Sequence, residues 1–198
     1  SALAARLAKN TIGDPADKSV RMGSLINRLQ VERVRANVEL LQKEQNIVIG
    51  DLDDFDVIGA DKDKGAFMAP IVFRNDDPHT KTGAHNIECF GPVTTLMPYK
   101  DLADAVAIAR LGKGSLVSSI VTSDMDIATE YTVEAASMHG RIHILNERCA
   151  AESTGHGSPM PMLVHGGPGR AGGGEEMGGI RGVKHYLQRT AIQEHPQT

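Results

Sequence analysis

The sequence predicts an α/β fold: a three-layer arrangement with helices on both faces of a mostly parallel sheet. Two observations lead there. Between Val93 and Asn146 the hydrophobic pattern switches repeatedly between the short runs of strands and the three-to-four spacing of helices. Each strand-to-strand connection in that region is long enough to hold a helix, which returns the chain parallel to itself.

The elements follow in order. The alanine-rich "SALAARLAKN" (1–10) lacks a secretory-signal layout and reads as helix. In "NRLQVERVRANVELLQKE" (27–44), Val31, Val34, Val38 and Leu41 recur at spacings of three and four, giving an amphipathic helix with a charged outer face. "NIVIG" (46–50) and "APIVFR" (69–74) read as strands on either side of an acidic stretch, 51–64. "VTTLMPY" (93–99) is a short β-rich run. Leu102, Ala105, Val106 and Ala109 then mark a helix over 101–112 that stops at Gly112. "SLVSSIVT" (115–122) reads as a buried strand. Asp124 caps a helix carrying Ile127, Tyr131, Ala135 and Met138 on one stripe. "RIHILN" (141–146) completes a βαβαβ unit. Such a sheet takes ligands beyond the carboxyl ends of its strands, which directs attention to the loops after Met97, Thr122 and Asn146.

Beyond Asn146 the periodicity is lost. Residues 147–179 hold ten glycines and three prolines, a long irregular stretch of the kind that is functional or disordered. "VKHYLQRTAIQ" (183–193) ends in alternation and reads as a terminal strand, which needs a partner, here expected from another chain.

Composition narrows the function. A chain of 198 residues suits one domain with or without an appendage, and 40% hydrophobic residues with 23% charged ones suit a globular protein. A net charge of −4 with no basic block argues against a nucleic-acid partner, as does 4% aromatic content without Trp. No apolar run nears the roughly 20 residues of a membrane span. Cys89 and Cys149 are distant and unpaired in pattern, as expected of a reduced, cytoplasmic protein.

Several motifs weaken under their physical requirements. Gly167, Gly169 and Gly172 spell G-x-G-x-x-G, but further glycines follow where a dinucleotide turn must open a helix, and too few residues remain for the rest of the unit. "DLDDFDVIGADKDKG" alternates carboxylates without the glycine and terminal glutamate of a calcium loop. His139, His143, His156, His165 and His185 lack tight ligand spacing: Gly140 separates the first two and a strand begins at Arg141, so no metal is expected. Cys89 and Cys149 are candidate nucleophiles; Cys89 has no obvious base beside it, Cys149 follows Glu147 and Arg148 in a loop, and either reads equally as an inert thiol.

"IECFGPV" (87–93) is more specific. It resembles the E-x-F-G-P-V segment of the aldehyde dehydrogenase superfamily. Other stretches resemble further landmarks of that family in the same order: "IGDPADKSVRMGSLINRLQVERV" (12–34, with Ser24 in place of a usual proline), "KGAFMAPIVF" (64–73), "GSLVSSIVTSD" and "GRIHILN". The closing stretch from Glu147 is narrower and resembles the dehydrogenase module of bifunctional phenylacetate-degradation proteins, whose second activity is hydratase-type ring opening.

The resemblance implies a catalytic-domain-like fold over 1–182 and a C-terminal oligomerisation arm over 183–198. It implies NADP-linked (or NAD-linked) oxidation of a coenzyme A-linked semialdehyde to the acid, and a homo-oligomer joined through 185–193. Glu88 matches the glutamate that accepts hydrogen bonds from the nicotinamide ribose, and Phe90 the aromatic beside it, both orienting rather than making bonds. The loop carrying Cys149, Glu152, Ser153, Thr154, Gly155 and His156 matches the aldehyde entrance and is expected to admit the thioester substrate. No catalytic residue is assigned. The family's Gly-Gln-x-Cys nucleophile, general-base glutamate and Rossmann domain are expected upstream of Ser1, and the hydratase beyond Thr198. The 198 residues alone are therefore expected to be inactive, with no cofactor bound. The glycine-rich stretch is expected to pass close to other backbone at the site mouth.

Overall fold

The computed structural model describes residues 1–149, 151–153, 155–156, 166–172 and 186–195. The chain forms two compact units, Ser1–Pro98 and Tyr99–Thr198.

In the first unit, α1 (Ala2–Leu7) is followed by α2 (Arg28–Leu41). Asn27 starts α2 with its side chain accepting from the Gln30 amide at 2.9 Å, which satisfies one of the orphan donors of the first turn. Three of the four expected stripe residues, Val34, Val38 and Leu41, are buried; Val31 is half-buried. They pack on Met68, Ile71 and Phe73, the last two from β2 (Ile71–Arg74). The strands β1 (Asn46–Ile49) and β3 (Val93–Leu96) flank β2, antiparallel and parallel to it respectively. Between β2 and β3 a short turn of helix, α3 (Gly83–Asn86), is fixed by the Glu44 carboxylate, which accepts from the Gly83 amide at 2.7 Å.

In the second unit, α4 (Leu102–Arg110) is capped by Asp101 and α5 (Met125–Ala135) by Asp124, each carboxylate accepting a first-turn amide at 2.9 Å. The strands β4 (Ser115–Val121), β5 (His139–Leu145) and β6 (Ala191–Gln193) form an all-parallel sheet in that order. Val106, Ala128, Tyr131, Ala135, Ile142 and Ile144 make its core.

The α/β class with parallel sheets and helices is observed. Three details differ from the sequence expectation. First, the βαβαβ stretch is divided: β3 pairs with β2, while β4 pairs with β5 in a separate sheet. Second, Ile127 is 41% exposed, and Ala128 takes the buried position on α5 instead. Third, the terminal strand β6 has a ladder partner in its own chain, with Arg141 opposite Ala191 and His143 opposite Gln193. Residues 183–185 of that segment lie outside the described ones.

Candidate functional site

The carboxyl ends of β4 and β5 converge on a cleft of about 910 Å³. Val121, Thr122 and Ser123 line it after β4, and Leu145, Asn146 and Glu147 after β5. Ser153 and Gly155 close one side. Two of the three loops singled out by the strand-end rule thus meet at one opening; the third, after Met97, follows β3 in the other sheet.

The loop beyond Asn146 is built by its own hydrogen bonds. The Ser153 amide donates to the Cys149 carbonyl at 2.8 Å, and the Arg148 amide to Asn146 Oδ1 at 2.9 Å. Cys149 is half-buried, and its Sγ accepts from the Asn146 amide at 3.3 Å. The same sulfur sits 3.5 Å from the Asn146 carbonyl and 3.8 Å from that of Ile144. Cys89 packs in the first unit's core, and burial pushes its thiol above the ordinary value.

Ser153 and His156 turn back onto the sheet. Ser153 Oγ lies 3.1 Å from His143 Nε2, and Ser119 Oγ 2.6 Å from His156 Nδ1. The Arg141 guanidinium donates to the His156 carbonyl. Burial holds the His143 imidazole below its ordinary value, with Arg141 and His156 adding repulsion. His156 is lowered by burial and by Arg141, and His139 by burial alone. Glu152 is exposed, and Thr154 lies outside the described residues.

Arg141, His143 and Ser119 were not singled out for this site from the sequence. Their signal is the alternation of His139, Arg141 and His143 along a strand, which places all three on one sheet face. Among the described residues, no cluster of three His, Cys, Asp or Glu side chains is arranged to hold a metal ion.

Glu88 and Phe90 belong to the first unit. They precede β3, near the amino end of the parallel β2–β3 pair, so the carboxyl-end rule does not apply to them. Both are exposed, Phe90 by 75%. Their backbone is nevertheless fixed: Asn37 Nδ2 donates to the Glu88 carbonyl and Gln30 Nε2 to the Phe90 carbonyl, each at 2.9 Å from α2.

The glycine-rich stretch is described at 166–172. There Gly167, Gly169 and Gly172 form a tight 3-10 turn, Gly169–Ala171, rather than the start of an α-helix. The close backbone approach is real, since a Cβ on Gly140 would stand 1.6 Å from the Gly166 carbonyl oxygen. It occurs at the amino ends of β4 and β5, however, away from the cleft mouth where it was expected.

A parallel sheet under helices, with a substrate-sized cleft at its strand ends, defines an α/β protein of the kind that binds small molecules. The chain belongs to the aldehyde dehydrogenase family, a family of oxidoreductases, whose model matches residues 1–192. It is 49% identical to Protein MaoC of Klebsiella aerogenes over 88% of this chain and 51% of that protein. It is 37% identical to the 3,4-dehydroadipyl-CoA semialdehyde dehydrogenase of Aromatoleum evansii over 84% of this chain and 32% of that one. The chain therefore spans about half or a third of the length of these relatives. Among solved structures, aldehyde dehydrogenase C of Pseudomonas syringae, crystallised with NAD+ and octanal, matches with TM-score 0.69 and 26% identity over 92% of this chain and 34% of that one. A betaine aldehyde dehydrogenase of Staphylococcus aureus shares the fold, with TM-score 0.72 at 22% identity over 93% of this chain and 34% of that one.

Proposed function

We propose that these residues act as the C-terminal part of a longer aldehyde dehydrogenase that oxidises a coenzyme A-linked semialdehyde to the acid in aerobic phenylacetate catabolism. The observation that carries the substrate class is the 37% identity to a protein named as a CoA-semialdehyde dehydrogenase. The resemblance of the closing stretch to the bifunctional phenylacetate-degradation proteins points the same way.

In this reading, a nicotinamide cofactor, NADP or NAD, accepts the hydride when bound. Glu88 holds the nicotinamide ribose through its carboxylate, and Phe90 packs beside that end. Neither makes or breaks a bond; both fix the angle of approach, and the Asn37 and Gln30 hydrogen bonds fix them in turn. The loop carrying Cys149, Glu152, Ser153, Thr154, Gly155 and His156 borders the thioester substrate. A homo-oligomer joined through 185–193 is supported by the position of β6 at the edge of its sheet. The two free thiols suit a cytoplasmic setting.

The 198 residues alone are proposed to be inactive, because the family's Gly-Gln-x-Cys nucleophile and general-base glutamate match none of these residues and are expected ahead of them. The test is an NADP- and NAD-linked assay with a CoA-linked semialdehyde. The chain alone should give no reduced cofactor. A longer protein carrying the Gly-Gln-x-Cys segment ahead of these residues should turn over and should prefer the CoA-linked aldehyde to free octanal. Turnover by the chain alone, or no preference for the thioester, would overturn the respective half.

A further inference from the structure

Three side chains on one face of the β4–β5 sheet reach the segment that follows Cys149. Ser119 of β4 stands in register with His143 of β5, and Arg141 lies two residues before His143 on the same side. Arg141 and His143 are only 3% and 2% exposed, while Ile142 and Ile144 point the other way into the helix-covered core. The Arg141 guanidinium donates to the His156 carbonyl, and Ser119 Oγ lies 2.6 Å from His156 Nδ1. His143 Nε2 lies 3.1 Å from Ser153 Oγ. Among the described residues, these three hydrogen bonds join Ser153, Gly155 and His156 to the sheet.

His156 is thus held twice, through its backbone and through its ring. The bond from the guanidinium is charge-assisted, roughly twice as strong as a neutral pair. Burial enforces it, because moving the carbonyl away would take an acceptor from a guanidinium that water reaches poorly. The ring contact holds for either imidazole tautomer, since a serine hydroxyl can donate or accept. The remaining bonds of the segment are its own: the Ser153 amide donates to the Cys149 carbonyl at 2.8 Å, and the Gly155 amide to Ser153 Oγ at 3.1 Å. They shape the turn without attaching it to β4 or β5.

We propose that Arg141 and Ser119 are positioning residues, which through His156 hold the wall that Ser153 and Gly155 give the cleft and so set the space a substrate enters. Ser153 and Gly155 line that cleft together with Thr122, Ser123, Asn146 and Glu147, whereas Arg141, Ser119 and His156 do not. The clamp therefore acts on the cleft at one remove, by fixing where its wall stands. Its effect on a CoA-linked aldehyde rests on the dehydrogenase reading; the clamp itself does not.

The test has two arms. In the 198-residue chain, amide hydrogen exchange is followed residue by residue. Ser119→Ala should speed exchange of the Ser153 and Gly155 amides about ten-fold, and Arg141→Met at least as much, with the Ile142 and Ile144 amides of β5 unchanged. Ser119→Thr, which restores a hydroxyl, should return the wild-type rates. Ser119 is half-buried, so removing its one oxygen keeps the test decisive even where Arg141→Met fails to fold. Unchanged exchange at Ser153 and Gly155 in Ser119→Ala, or acceleration spread evenly over β5, would overturn the clamp.

In the longer enzyme, Ser119→Ala should raise KM for the CoA-linked aldehyde about five-fold, with kcat within roughly a factor of two and KM for the nicotinamide cofactor unchanged. Ser119→Thr should restore that KM. Faster exchange with an unchanged aldehyde KM would overturn the positioning role. A longer enzyme that oxidises no CoA-linked aldehyde would overturn the dehydrogenase reading instead, and the exchange rates would still decide the clamp.

Discussion

The Asn37 side-chain amide donates to the Glu88 main-chain carbonyl at 2.9 Å, across 51 residues of sequence. It ties helix α2 to the segment that leads into β3, and Gln30, seven residues earlier on the same helix, does the same for Phe90. The segment carrying the proposed ribose-binding carboxylate therefore takes its position from a helix rather than from a strand end.

Asn37→Ala should accordingly act on cofactor binding more than on folding. Loss of one partly exposed hydrogen bond costs about 1 kcal/mol of stability. In the longer enzyme, KM for the nicotinamide cofactor should rise several-fold while KM for the aldehyde stays near the wild-type value. Steady-state kinetics with each substrate varied in turn checks this; a change confined to the aldehyde would argue against the role given to Glu88.

The core of the second unit makes a second prediction. Ile142 is fully buried between α4, α5 and the sheet, whereas Ile127 on α5 is 41% exposed. Ile142→Ala should cost about 2–5 kcal/mol through lost burial and a residual cavity. Ile127→Ala should cost well under half of that. Urea unfolding of the two variants should separate them by midpoint with little change in slope.

That pair also illustrates what the sequence allows to be read. The cap at Asp124 was legible as a short polar residue before a periodic apolar run; Asn27 and Asp101 cap their helices in the same way, each accepting from its first helical turn. The stripe on α5 was legible only to within one residue, because Ile127 is the more hydrophobic side chain but Ala128 permits closer packing to the sheet. The sheet partner of β3 was not legible. Its parallel mate β2 ends at Arg74, and the pairing spans a long connection through α3 that no local period records. The polar face of β5 misleads for another reason. Alternation of His139, Arg141 and His143 with apolar residues ordinarily marks a face open to water, yet here both faces are covered. The landmarks around Glu88 were visible as sequence, but their bracing by Asn37 and Gln30 is a property of tertiary structure alone.

Stability should fall on mild acidification. His139, His143 and His156 are all held below 6.5 in the folded chain, chiefly by burial, while the unfolded chain protonates them at that ordinary value. The unfolded state therefore binds more protons as pH drops, so this contribution is complete above 6.5 and is lost as pH falls through it. Asp17, Asp51 and Asp61 are shifted down by hydrogen bonds, so their contributions are lost only below 3.8, in a separate window. Urea midpoints should decline between pH 7.5 and 5.5, and His143→Asn should flatten that decline. A flat wild-type profile over this range would contradict the buried, neutral state of His139 and His143.

Gly91 separates a packing role from mere turn flexibility in the segment that carries Glu88. A Cβ built there would lie 2.9 and 3.2 Å from the two γ-methyls of Val34, a fully buried residue of α2, and 3.4 Å from Leu25. Gly91→Ala must push the Gly-Pro turn away from α2 or displace Val34 within a close-packed core, and overpacking of this kind costs about 1–3 kcal/mol. Because Phe90 adjoins the displaced residue and is held to Gln30 through its carbonyl, the shift should reach the proposed cofactor contacts. Gly23 provides the control, since a Cβ there would meet only Pro15 at 4.0 Å. Gly91→Ala should lower both Tm and cofactor affinity in the longer enzyme, while Gly23→Ala should change neither beyond a few tenths of a kcal/mol. If Gly91→Ala leaves both unchanged, then the close seating of the Gly-Pro turn on α2 does not set the position of Glu88.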